Sequence, residues 1–189
     1  MNLSFSKLFV VSLSFVLIMS MFSCVEDEIS GCTDPNADNY NVNAINDSGN
    51  CMYGADNLVG TYLGVSQCSG SLTNPGFNSS SLSFSITKSL VGGENEVDVS
   101  FSFTAEPFVF KGVVSGNELV INDEITGVNY PDPTNSTMTI VVDIEATATM
   151  TYFDDDQSLD CQDLYMKVKN VNSGSLLQEG TCNVTGIKQ

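Results

Sequence analysis

The sequence contains no histidine, no arginine and no tryptophan, and its six basic residues are all lysine. Each absence removes chemistry. Without an imidazole there is no general base for a Ser-His-Asp or Cys-His nucleophile, and no His-ligated zinc. Without a guanidinium there is no planar fork for bidentate capture of phosphate or carboxylate. The lysines face 23 Asp+Glu, and the net charge of -17 opposes nucleic acid, whose binding rests on basic side chains displacing counterions. No serine sits in a Gly-x-Ser-x-Gly elbow. No stretch shows the apolar period of an amphipathic helix. An acidic surface of this kind points to solubility, an exterior setting or divalent cations.

What is present begins at the amino terminus. After Lys7 comes LFVVSLSFVLIMSMF, an apolar run over residues 8–22. A membrane-spanning helix needs about 20 apolar residues, so this run has the length of a secretory signal, with Ser23 as the small residue before a cut. The chain then turns acidic at once, with Glu26, Asp27 and Glu28 following Cys24. MFSC resembles the lipobox of bacterial lipoproteins, and the VEDE after it resembles the acidic export signal of Bacteroidota surface lipoproteins. The resemblance implies that residues 1–23 are a signal peptide and that Cys24 carries palmitate-type acyl chains. It also implies that residues 24–30 are a lipidated linker and that Glu26, Asp27 and Glu28 direct the protein to the outer face of the bacterial outer membrane. One acyl chain binds a bilayer only marginally, so the several chains of such an anchor supply the additional hold.

Residues 31–54 form a second unit, GCTDPNADNYNVNAINDSGNCMY in its core, bounded by Cys32 and Cys51. It is rich in Asn and Asp and poor in apolar residues, too small to bury a core, and so needs a staple. Asp34, Asn36 and Asp38 alternate as the oxygen ligands of a calcium loop do, and Asp47 opens a second oxygen-rich cluster. No cofactor is certain; calcium, held by Asp34, Asn36, Asp38 and Asp47, is one reading, and a disulfide-closed Asn/Asp turn cluster without metal is the other. The glycine at the sixth position and the closing glutamate of an EF-hand are missing. The stretch resembles a GCTDPxAxNYNxxAxxDDGSC module of extracellular Bacteroidota proteins, which together with sequence proximity implies a Cys32–Cys51 disulfide. Asn46-Asp47-Ser48 and Val42-Asn43 depart from that pattern.

From residue 57 to 189 the apolar residues alternate with period two. Leu82, Phe84 and Ile86 share a face; so do Val97, Val99, Phe101 and Phe103; so do Met138, Ile140, Val142 and Ile144; so do Leu164, Met166 and Val168. Turn signals separate the runs: Gly92-Gly93, Ser115-Gly116-Asn117, Pro131-Asp132-Pro133, Asp154-Asp155-Asp156 and Asn172-Ser173-Gly174. The spacing predicts an all-β, antiparallel barrel or sandwich of about eight strands. LVGTYLGVSQCSG together with TMTYFDDDQSLDCQDLYMKVK resembles the lipocalin-like β domain of Bacteroidota lipoproteins, a family that supplies no activity; the carboxy-terminal tail would add a hairpin strand.

Of six cysteines, setting aside Cys24 leaves five, an odd number. The lipocalin-like resemblance places the strands of Cys68 and Cys161 side by side, implying Cys68–Cys161 and a free Cys182. The competing pair is Cys161–Cys182. A hairpin about Ser173-Gly174 puts Cys161 opposite residue 186, about 13 Å of slip from Cys182.

The expected function is a surface-exposed, lipid-anchored, non-catalytic binding or accessory protein of the bacterial envelope. Its partners are the membrane through the anchor and a glycan, a small apolar ligand or another envelope protein, with no nucleic acid. The alternative is a carboxylate-dependent hydrolase such as a glycosidase, using Asp143 and Glu145 or members of the Asp154 to Asp156 turn. A barrel filled by its own phenylalanines would favour a purely structural or interaction role, and two inward-facing acids in a cleft the hydrolase.

Overall fold

The structure, a computed structural model, describes residues 28–72, 77–102 and 107–189. The signal peptide, Cys24, Glu26, Asp27 and the expected inward position of Phe103 lie outside the described residues.

Two short strands, β1 (Ser30–Gly31) and β2 (Asn46–Asp47), pair in parallel within the cysteine module. A single-turn helix, α1 (Gly54–Leu58), follows. Eight strands then run in sequence: β3 (Gly60–Cys68), β4 (Ser79–Lys88), β5 (Glu96–Phe101), β6 (Phe108–Ser115), β7 (Glu118–Asp132), β8 (Asn135–Phe153), β9 (Ser158–Asn170) and β10 (Leu176–Lys188). Each pairs antiparallel with its neighbours in the chain, and β10 returns to β3, closing a barrel. Of the two predicted all-β forms, the barrel is the one adopted.

The period-two pattern does this because alternate side chains of a strand point to opposite faces. In β6, Phe108, Phe110 and Val114 are buried while Val109, Lys111 and Val113 are exposed. In β4 the inward set is Leu82, Phe84 and Ile86, and serines and Thr87 face outward. The outer wall also carries Asp98, Lys111, Glu145 and Lys167. The interior is apolar, and the outer wall mixes these charges with exposed aliphatic side chains, Leu63, Val113, Val120 and Ile187 among them.

Aromatic rings fill the interior from end to end. Tyr62 stacks on Phe84 at 5.0 Å, Phe84 meets Phe101 at 5.4 Å, and Phe101 meets Phe110 at 6.4 Å. Nearer the other end, Tyr130 stacks on Phe108 at 6.3 Å and on Phe77 at 6.4 Å. Each end has its own closure. At the base, Ala55 and Leu58 of α1 are fully buried, and the Tyr62 hydroxyl donates to the Leu58 carbonyl at 2.7 Å. No amphipathic period announces this helix because one turn is too short to show one. At the opposite end Tyr130 comes from the long β7–β8 hairpin, and its hydroxyl donates to Gln178 Oε1 at 2.6 Å, satisfying both buried polar groups.

The β3–β10 seam needs glycine. Gly64 and Gly186 face each other across it. A Cβ on Gly186 would lie 2.7 Å from the Phe84 ring, and one on Gly64 would lie 1.7 Å from the Thr185 carbonyl oxygen.

The structure forms Cys32–Cys51, as the sequence implies, but pairs Cys68 with Cys182 rather than with Cys161. The reason is topological: β10, not β9, lies beside β3, and its register sets Cys182 directly opposite Cys68. The competing Cys161–Cys182 pair is absent too, because Cys161 faces Val184 beyond a register shift. Among the described residues the free thiol is thus Cys161, not Cys182. It is 1 % exposed, and burial pushes its thiol up to about 11. Because the thiolate is the nucleophile, Cys161 of the folded chain should resist iodoacetamide at neutral pH and react stoichiometrically in denaturant. Fast alkylation under native conditions would show the site to be open. The same shift weakens the fold in alkali. An unfolded thiol gives up its proton at a lower pH, so the stability held below the ordinary thiol range is lost as pH climbs through about 11.

Candidate binding cleft between the cysteine module and the barrel base

The cysteine module rests on the barrel end that α1 closes. Its Asn and Asp side chains chiefly serve its own backbone. Asp34 Oδ1 accepts from Asn36 N–H at 2.9 Å, Asn41 Oδ1 from Asn43 N–H at 3.0 Å, and Asp47 Oδ1 from Gly49 N–H at 3.1 Å. These are side chains substituting for turn carbonyls, the local role for which Asn and Asp are suited. Asn39 ties two segments, accepting from Met52 N–H at 2.8 Å and donating to the Asn50 carbonyl at 2.7 Å. Asp34 Oδ2 accepts from the Tyr53 hydroxyl at 2.7 Å. Hydrogen bonds from Asn36 and then Tyr53 hold the Asp34 carboxyl below its ordinary range, while the same contact pushes the Tyr53 phenol up to about 12.

This use of the oxygens bears on calcium. Among the described residues no group of three or more His, Cys, Asp or Glu side chains converges to hold a metal ion. Asp34, Asn36, Asp38 and Asp47 share the module without forming a cage; both Asp34 oxygens are engaged and Asp47 is turned onto Gly49. As arranged, this donor set does not fit calcium.

The module meets the barrel across a cleft of about 580 Å³. One wall is Asp34 to Asp38; the other is Gly93 to Glu96, from the β4–β5 turn, with Val113 to Ser115 of β6. Asn95 joins the two walls, its Nδ2 donating to the Asn36 carbonyl at 2.8 Å while its own carbonyl accepts from Val114 N–H at 2.8 Å. Asn95 Oδ1 is shielded from solvent and accepts no hydrogen bond, the one such side-chain atom among the described residues. A shielded acceptor without a donor costs about 1–3 kcal/mol, a cost carried at the junction of the two walls. Lys88 braces the cleft from below, paired with Asp56 at 2.8 Å and Glu94 at 3.2 Å and lying over the Tyr53 ring at 5.5 Å. Asp34, Asp38, Glu94 and Glu96 make the lining acidic.

The other carboxylates expected from sequence stand apart. Asp143 and Glu145 lie on the outer wall of β8. Asp143 accepts from Gly127 N–H at 3.0 Å; Glu145 pairs with Lys169, which holds its carboxyl below the ordinary range, and with Lys167 at 4.0 Å. Asp154, Asp155 and Asp156 form the exposed β8–β9 turn, with Asp156 Oδ1 accepting from Ser158 N–H. Glu28, the one described member of the acidic trio, accepts from Asn46 Nδ2. Sequence reasoning missed Asn95 and Glu94, whose signal was limited to their place beside the Gly92-Gly93 turn.

The chain matches no family model, no curated protein and no solved structure.

Proposed function

We propose that this chain is a lipid-anchored, non-catalytic binding or accessory protein displayed on the bacterial cell envelope, and that its ligand site is the cleft between the cysteine module and the barrel base. The observation that supports this reading best is the division of the molecule into a filled interior and a concave outer surface. With rings stacked from Tyr62 to Tyr130, the barrel serves as a rigid scaffold, and a small apolar ligand in its mouth has no support. Clefts with a few convergent polar groups are where ligands are ordinarily held. An acidic lining suits a ligand rich in donors, a glycan or the polar segment of an envelope protein. The hydrolase alternative loses support because Asp143 and Glu145 face outward and are engaged by Gly127 and Lys169.

Two measurements test the proposal. Palmitate labelling should mark the wild type and not Cys24→Ala, and alanines at Glu26, Asp27 and Glu28 should keep the label but abolish cleavage by external protease. Equal labelling of both forms removes the anchor. Affinity for envelope polysaccharide, read by surface plasmon resonance, should fall about tenfold in Asn95→Ala, which removes the hydrogen bond to the Asn36 carbonyl that holds the two walls of the cleft together. An unchanged affinity places the ligand elsewhere.

A further inference from the structure

We infer that the β4–β5 turn is a membrane-seating loop, in which Leu90 and Val91 enter the lipid surface to which the protein is tethered. Leu90 is 98 % exposed and Val91 91 %, consecutive aliphatic residues at the tip of a hairpin. Among the described residues no other large apolar side chain is as exposed. At the opposite end the apolar residues that show, Met138, Val171 and Leu176, are between 45 % and 56 % exposed.

The occupant follows from the tether. This inference rests on the anchoring of Cys24 proposed above. From Cys24 to Glu28 an extended chain reaches at most about 14 Å, at 3.3–3.6 Å per residue. The bilayer must therefore lie close to the cysteine module. That module is fixed to the same hairpin that carries Leu90 and Val91, through Asn95 to Asn36 and through Lys88 to Tyr53. Residues beside the tether are also aliphatic and open: Ile45, 70 % exposed, donates its N–H to the carbonyl of Ile29, which is 47 % exposed. Two aliphatic side chains hold a bilayer weakly by themselves, but a tether converts their insertion into an intramolecular event at high effective concentration. Lys88 is shared by two carboxylates, Asp56 and Glu94, and Asp34, Asp38 and Glu96 stand close by, so the base is net negative and an uncharged lipid surface suits it better than an anionic one.

The absence of tryptophan provides a clean probe. The lipidated full chain carrying Leu90→Trp is reconstituted into phosphatidylcholine vesicles with or without brominated acyl chains, and Met138→Trp serves as the control at the far end. Flotation with the vesicles reports the anchor; quenching reports the seating. The expected result is flotation of both variants, with a blue-shifted and bromine-quenched indole at position 90 and an unshifted, unquenched one at 138. Flotation without quenching at position 90, or equal quenching at both positions, overturns the loop while sparing the anchor. Failure to float overturns the anchor and the loop with it.

Discussion

Replacing Cys68 and Cys182 together with alanine should lower the stability of the barrel by about 4 kcal/mol and its Tm by roughly 12–16 °C. The bond joins residues 114 apart in sequence, so in the unfolded chain it closes a loop that includes nearly the whole barrel. In the chain-entropy description that constraint grows with the logarithm of loop length, which places this bond near the upper end of what one disulfide contributes. Both cysteines must go, because a lone Cys182 would sit one inward step from Cys161, which faces Val184. The Cys32–Cys51 bond offers the contrast: its residues are 19 apart, in a module with almost no buried apolar residues. Its removal should loosen the module and leave the main barrel transition in place. Calorimetry of the two double variants distinguishes them. A barrel Tm unmoved by the loss of Cys68–Cys182 would mean that the β3–β10 ladder holds the seam unaided.

Phe84→Ala should cost about 3–5 kcal/mol, the ordinary range for truncating a fully buried phenylalanine. Phe84 lies between Tyr62 and Phe101 and covers Gly186, so its removal leaves a void bordered on one side by backbone. A neighbouring strand cannot collapse into that space without parting the β3–β10 seam, which keeps the cost high. Urea unfolding should show a lower midpoint with an unchanged slope. A cost below about 1 kcal/mol would show a loosely filled interior and would revive the apolar-ligand reading.

How far the fold was legible depended on how clean the alternation was. Leu82-Phe84-Ile86 and Leu164-Met166-Val168 announce their strands because every second residue enters the core. β7 does not announce itself beyond Leu119 and Ile121: Asp123, Glu124, Asn129 and Pro131 lie in a stretch paired mainly with β8, where neither face enforces a period. Met138, expected inward, is exposed for the same reason, lying where β8 extends past the core. The Cys68 partner was illegible because strand neighbours at a barrel closure are set by the last strand to pair, which local spacing does not encode. The cleft was harder still. Asn95 owes its role to the module docked on it, and neither its neighbours nor its own type signal that contact.

The closing seam also orders events in time. β3 pairs with β10 from Tyr62 opposite Lys188 to Cys68 opposite Cys182, so the first barrel strand waits for the barrel strand furthest from it in sequence. Contacts of such sequence separation are slow to form, and folding rates fall as they come to dominate. A nascent chain ending anywhere before β10 has two open edges and no partner for Cys68. The barrel therefore cannot shut until β10 has been made, whatever the rest of the sheet has already formed.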